Sequence, residues 1–199
     1  EETGLIIPIG DWILRQACEE AANWPASVRM AVNVSPIQFS APGFATTLVR
    51  TLADTGLAPE RLEIEITEGV FLSGGEARQT VFNAIKAAGV RLALDDFGTG
   101  YSSIGYLNKA IFHKLKIDGS FVREAGSRPE NVAIIQSIVQ LAKSFRMSVT
   151  AEGVETAEDF ERMRDLGCDT IQGYLFGKPL SYARANEMVE GLSKTRLAG

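Results

Sequence analysis

The chain has 199 residues, 45% of them hydrophobic and 23% charged, with a formal net charge of −5. This composition excludes disordered and fibrous classes and offers no basic stripe for general nucleic-acid binding. No apolar run approaches the roughly 20 residues of a membrane span, and no basic stretch leading into an apolar one marks a signal peptide.

The length suits one domain with a sizeable core. The chain opens on "EETGLIIPIG", without Met, and is expected to be an excised piece of something longer. Cys18 and Cys168 are far apart and outside any C-x-x-C pattern. They are expected to be reduced, buried small hydrophobes of a cytoplasmic protein. The single histidine, His113, rules out a His-rich zinc site.

In chain order, "PIGDWILRQACEEAANW" places Ile9, Trp12, Ile13, Ala17 and Ala21 near helical spacing, with Trp12 and Trp24 expected to pack inward. A strand is predicted over 28–35, a helix in "FATTLVRTLADTG", a strand over 61–67 and a helix in "EARQTVFNAIKAAG". Strands follow over 90–96 and 113–118, then a helix in "NVAIIQSIVQLAKSF" and a strand over 147–153. A helix in "AEDFERMRDLG", a short strand over 169–174 and a closing helix through "YARANEMVEGL" complete the series. Gly56, Gly89 and Gly167 each follow a helix and precede a strand, as helix stops. Alternation of this kind implies a parallel α/β sheet. A (β/α) barrel fits better than an open sheet, though both stay open, and no G-x-G-x-x-G follows the first strand to suggest a dinucleotide-binding fold.

Several strands carry polar groups late on the face opposite their apolar residues. In "LEIEIT", Leu62, Ile64 and Ile66 share one face, and Glu63, Glu65 and Thr67 the other. Lys116 and Asp118 oppose Leu115 and Ile117, and Glu152 opposes Val149 and Ala151; Asn33 and Gln172 sit similarly. On one strand this would be an ordinary solvent face. On several, it suggests polar groups converging at the C-terminal end of a barrel, where barrel active sites lie. Carboxylates gathered there need protons or cations. Asn33, Glu65, Asp95, Asp96 and Glu152 are hard oxygen donors suited to Mg²⁺ or Mn²⁺. With Lys116 beside them, they point to a metal-dependent phosphoester enzyme. Metal ions would also let an acidic protein accept a phosphorylated small molecule.

"VNVSPIQF", "LEIEITEG", "LALDDFGTGYSSIGYL", "LKIDGSFV", "TAEGVET" and "GCDTIQGYLFGKPL" together resemble the EAL domain, the phosphodiesterase that cleaves the bacterial second messenger cyclic di-GMP to linear pGpG. The motifs occur in the family's order from Gly4 to Leu180. The resemblance implies a TIM-like (β/α) barrel and two divalent ions, Mg²⁺ or Mn²⁺. It implies Asn33, Glu65 and Asp95 as ligands of one ion, with Asp95 bridging to a second beside Asp96 and Glu152. It implies Lys116 at the catalytic water and Gln172, Asp118, Phe176 and Pro179 at the substrate. It implies Glu68 and Glu155 as supports for the loop after "DDFG". It further implies a homodimer controlled by sensor or GGDEF-type domains.

No Glu-Ala-Leu string occurs in the chain, so residues 1–199 are expected to be an EAL domain lacking its first strand, with activity impaired for want of the motif glutamate. Gly119 stands where the family usually carries arginine, and Asn108–Ile111 where it has a Leu-Pro type turn. The alternatives to an active phosphodiesterase are a cyclic di-GMP receptor that binds without cleaving, and a structural interaction domain. Tyr101, Ser102 and Ser103 are expected to cap a helix rather than act as nucleophiles. Gly98 and Gly100 are expected to let the loop after the aspartates bend. For Phe176, Pro179 and Lys178, packing of the last loop is as good a reading as substrate contact.

Overall fold

A computed structural model describes residues 1–72, 75–99, 105, 107 and 112–197. The expectations placed on Gly100, Tyr101, Ser102, Ser103 and Asn108–Ile111 lie outside the described residues. The chain forms two compact units: Glu1–Glu65, Ser73–Arg91 and Pro179–Gly199 in one, Ile66–Leu72 and Leu92–Lys178 in the other.

The first unit opens on helix α1 (Ile6–Ala22), followed by strand β1 (Met30–Asn33), the short helix α2 (Pro36–Phe39) and helix α3 (Phe44–Thr55). Strand β2 (Leu62–Thr67, as far as Glu65) and helix α4 (Gly75–Ala88) come next. β1 pairs with β2 in parallel, with Asn33 opposite Glu65. Ser35 caps α2 by accepting the Gln38 N–H at 3.1 Å, and the Phe39 ring packs against Phe82 and Phe44 at centroid distances of 5.0 and 5.9 Å.

α1 corrects one expectation. Its buried stripe is Gly10, Leu14, Cys18 and Ala21, not the stripe through Trp12. Trp12 is 63% exposed, and Ile9 and Ile13 also face outward. Both stripes have helical spacing. The one with small residues wins because it permits close approach: a Cβ on Gly10 would stand 2.3 Å from the Gln38 side chain. Trp24 is half-buried, its indole N–H donating to Asn186 Oδ1 at 2.6 Å. Both cysteines are free thiols, Cys18 buried and Cys168 only partly so. Burial pushes each up to about 11.

The second unit holds strand β3 (Arg91–Phe97, from Leu92 on), β4 (Lys114–Ile117), helix α5 (Gly119–Glu124), helix α6 (Pro129–Ser144), β5 (Ser148–Ala151), helix α7 (Ala157–Asp165) and the two-residue β6 (Thr170–Ile171). Helix α8 (Tyr182–Leu197) belongs to the first unit. β3, β4, β5 and β6 pair in that order, each pair parallel. α6 packs on β4 and β5, burying Ile135, Ile138, Val139 and Ala142 beside Leu115, Ile117, Val149 and Ala151. The fold is α/β: among the described residues, six strands and their helices follow the alternation of a (β/α) barrel. Gly56, Gly89 and Gly167 take φ of 68°, 79° and 89°, the left-handed conformation a helix stop needs.

The pairing of β3 with β4 is irregular near the end of both strands. Leu94 pairs with Leu115 and Phe97 with Ile117, so three steps along β3 match two along β4. The extra residue is a β-bulge at Asp95–Asp96, and Asp96 takes φ 52°.

Candidate metal and substrate site

Adjacent residues of a regular strand point to opposite faces, so two neighbouring aspartates could not normally serve one site. The bulge removes that limit by re-aiming one side chain. Carboxylate oxygens of Asp95, Asp96 and Glu152 all lie within 4.8 Å of one another. The Asp96 N–H also donates to Asp95 Oδ1 at 3.1 Å.

Lys116 enters from β4 between Leu115 and Ile117. Its ammonium lies 3.0 Å from Asp95 Oδ1 and 2.7 Å from Glu152 Oε1. The three side chains are mostly buried, so the pairing offsets a real desolvation cost. One lysine does not balance three carboxylates. Burial and the negative charges of Asp95 and Asp118 raise the Asp96 carboxyl above its ordinary value, against a smaller opposing effect of Lys116. A cluster of hard oxygen donors with excess negative charge fits a divalent cation such as Mg²⁺ or Mn²⁺.

Glu68, in the turn after β2, accepts the Gly98 N–H at 3.4 Å, which ties that turn to the one following the aspartates. Asp118 caps α5: its Oδ1 accepts the Ser120 N–H at 2.9 Å and also a short hydrogen bond from the Ser120 hydroxyl. Burial pushes its carboxyl up, but the hydrogen bonds from Ser120 and the charge of Arg123 outweigh that and hold it below the usual range.

A groove of about 380 Å³ runs beside the cluster, with Asp118, Glu152, Glu155, Gln172, Arg123 and Tyr174 in its walls. Four of these are expected at the site from sequence. Arg123 and Tyr174 are not; the signal for Arg123 is its place four residues after Gly119, one helical turn along α5. Phe176 is 57% exposed, with its ring against Phe160 at 6.0 Å. Lys178 Nζ stands 6.0 Å from the Tyr174 ring centroid, at the outer limit of a cation–π contact. In the first unit, Glu65 is buried and Asn33 exposed on neighbouring strands, and Pro179 is exposed.

The family model for the EAL domain matches residues 1–179. MucR of Pseudomonas aeruginosa, a bifunctional diguanylate cyclase/cyclic di-GMP phosphodiesterase, is 37% identical over 184 residues, covering 90% of this chain and 27% of MucR. NbdA of the same organism, a cyclic di-GMP phosphodiesterase, is 33% identical over 193 residues, 95% of this chain and 25% of NbdA. The chain thus spans about a quarter of the length of these curated relatives. The solved MucR phosphodiesterase in complex with c-di-GMP superposes with a TM-score of 0.88 at 36% identity, over 93% of this chain and 76% of that one. Klebsiella pneumoniae BlrP1 with manganese and cyclic di-GMP gives 0.79 at 30% identity, over 87% and 44%. This chain belongs to the EAL domain family.

Proposed function

We propose that the chain is a cyclic di-GMP phosphodiesterase domain, releasing pGpG with the help of two divalent ions, and that it works within a longer signalling protein. The observation that carries this reading is the Asp95–Asp96–Glu152 cluster held by Lys116. The solved relatives bound to c-di-GMP, one of them with manganese, support it.

Asp95, Asp96 and Glu152 would hold metal, with Asp95 shared between the two ions. Asn33 and Glu65 join the ligand set on the strength of the family resemblance. Bound divalent ions supply Lewis acidity and a water acidified enough to attack a phosphodiester at neutral pH. The chain's own part is positional. Lys116 fixes Asp95 and Glu152 through two charge-assisted contacts and holds a water at Nζ. Gln172 and Asp118 border the substrate, and Phe176 and Pro179 lie along its base. Glu68, through Gly98 N–H, braces the loop after the aspartates, and Glu155 lines the groove beside the cluster.

The test is incubation with cyclic di-GMP and Mg²⁺ or Mn²⁺, with products separated by chromatography. Appearance of pGpG, abolished by EDTA, is expected. Binding of cyclic di-GMP without any pGpG would overturn the enzyme reading in favour of a receptor, and no binding would overturn both.

A further inference from the structure

Arg123 lies on the exposed side of α5, with its guanidinium over Gly119 and Gly153. A Cβ added at Gly119 would stand 2.7 Å from Arg123 Nη1, and one added at Gly153 2.9 Å from the same atom. The guanidinium therefore occupies the space that side chains at 119 and 153 would fill. The absence of a side chain at Gly119 does not leave the groove without a cation; Arg123 supplies one from the next turn of the helix.

The polar groups in the groove divide into two sets. Asp118 is committed to Ser120, and Glu152 to Lys116. The charge of Arg123 acts on Asp118, but the side chains of Arg123, Glu155 and Gln172 make no hydrogen bond or close ion pair among the described residues. One wall thus presents a fork of donors, a carboxylate acceptor and an amide, with the Tyr174 ring beside them. Phosphate matches the wall away from Glu152 poorly, since Asp118 and Glu155 would repel it. Guanine matches it well. Its O6 and N7 are paired acceptors for an arginine fork, and its N1–H and N2–H₂ are donors for a carboxylate.

Resting on the reading of the chain as a cyclic di-GMP phosphodiesterase, we propose that Arg123 is a base-reading residue. Arg123 takes the O6/N7 edge of one guanine of the dinucleotide while Glu155 takes its N1–H and N2–H₂ donors. Arg123 then governs the preference for guanine over adenine, which offers an N6 donor where guanine offers O6.

The experiment compares the full chain with Arg123→Ala and Arg123→Lys, measuring kcat and KM for cyclic di-GMP and the inhibition constant of cyclic di-AMP as competitor. Arg123→Ala is expected to raise KM about tenfold, the scale of a hydrogen bond to a charged group, with kcat within about twofold of wild type. The preference for the guanine ligand should narrow by a similar factor. Arg123→Lys should recover part of KM but not the preference, because an ammonium lacks the fork. An unchanged KM and preference in Arg123→Ala, or a fall in kcat alone alongside a lower Tm, would overturn the proposal. A wild-type chain that neither binds nor cleaves cyclic di-GMP would instead overturn the phosphodiesterase reading on which it rests.

Discussion

Lys116 Nζ lies 2.7 Å from Glu152 Oε1, with side chains 4% and 18% exposed. The contact joins β4 to the residue just beyond β5, and the same ammonium reaches back to Asp95 on β3 at 3.0 Å. Three successive parallel strands thus share one buried cation near their C-terminal ends.

Lys116→Met should therefore have two effects. Hydrolysis of cyclic di-GMP should fall at least about a hundredfold, since the cation that pairs with both carboxylates is gone. In EDTA the variant should lose about 3 kcal/mol of stability, because breaking a buried pair leaves uncompensated charge. Mn²⁺ should restore part of that loss by supplying positive charge to the folded state only. Thermal melts with EDTA and with Mn²⁺ check this, and a variant that melts like wild type in EDTA would show that the ammonium is not what steadies the cluster.

Asp118 gives a pH-dependent prediction. Its folded-state pKa is held below its ordinary value by Ser120 and Arg123, against the effect of burial. Such a group contributes stability that is present above its unfolded pKa of about 3.9 and is lost as pH falls through the folded value. Asp118→Ala removes a helix cap and should cost about 1 kcal/mol near neutral pH. The gap from wild type should shrink below about pH 4. Urea melts at pH 7 and pH 3 measure it, and a gap that stays constant would mean that the charge contributes nothing.

The strands and their alternation with helices are legible in the sequence because apolar runs bounded by glycine stops carry their own period. The convergence of Asp95, Lys116 and Glu152 is legible too, as polar residues placed late on successive strands. Trp12 misleads because α1 has two stripes of helical spacing, and packing against α2, α3 and β1 selects the one through Gly10. The bulge at Asp95–Asp96 leaves no mark in a single sequence, since it is a matter of register against β4. Arg123 is hidden for a similar reason. Its role depends on the space above Gly119 and Gly153, two residues far apart in the chain.

Gly173 tests how tightly β6 is set against the loop after β5. Val154 N–H donates to the Gln172 carbonyl and Leu175 N–H to the Val154 carbonyl, both at 3.1 Å. A Cβ on Gly173 would stand 2.1 Å from the Val154 carbonyl oxygen and 2.4 Å from its nitrogen. Backbone cannot yield as a side chain can, so Gly173→Ala should cost about 2–4 kcal/mol, beyond ordinary overpacking. It should also weaken substrate binding, because Gln172 and Tyr174 flank the displaced residue. Chemical denaturation gives the first quantity and KM the second. Full stability in Gly173→Ala would contradict the close approach.

The bulge separates the roles of the two aspartates. Asp96 sits at φ 52°, a conformation that aspartate and asparagine tolerate and β-branched residues do not. Asp96→Asn should therefore fold as well as wild type, whereas Asp96→Val should lose about 1–2 kcal/mol from backbone strain. Asp95 has no positive φ, and its Oδ1 receives both the Lys116 ammonium and the Asp96 N–H. Asp95→Asn removes the charge that pairs with Lys116 and that the proposed metal ions would need. It should lower hydrolysis at least about a hundredfold and weaken Mn²⁺ binding measured by calorimetry. Asp96→Asn should weaken metal binding while leaving the Lys116 contact in place, so its melting point in EDTA should stay at or above that of wild type. Retention of even about a tenth of wild-type hydrolysis by Asp95→Asn would sink the bridging role, because no other carboxylate of the cluster shares its contact with both Lys116 and the Asp96 backbone.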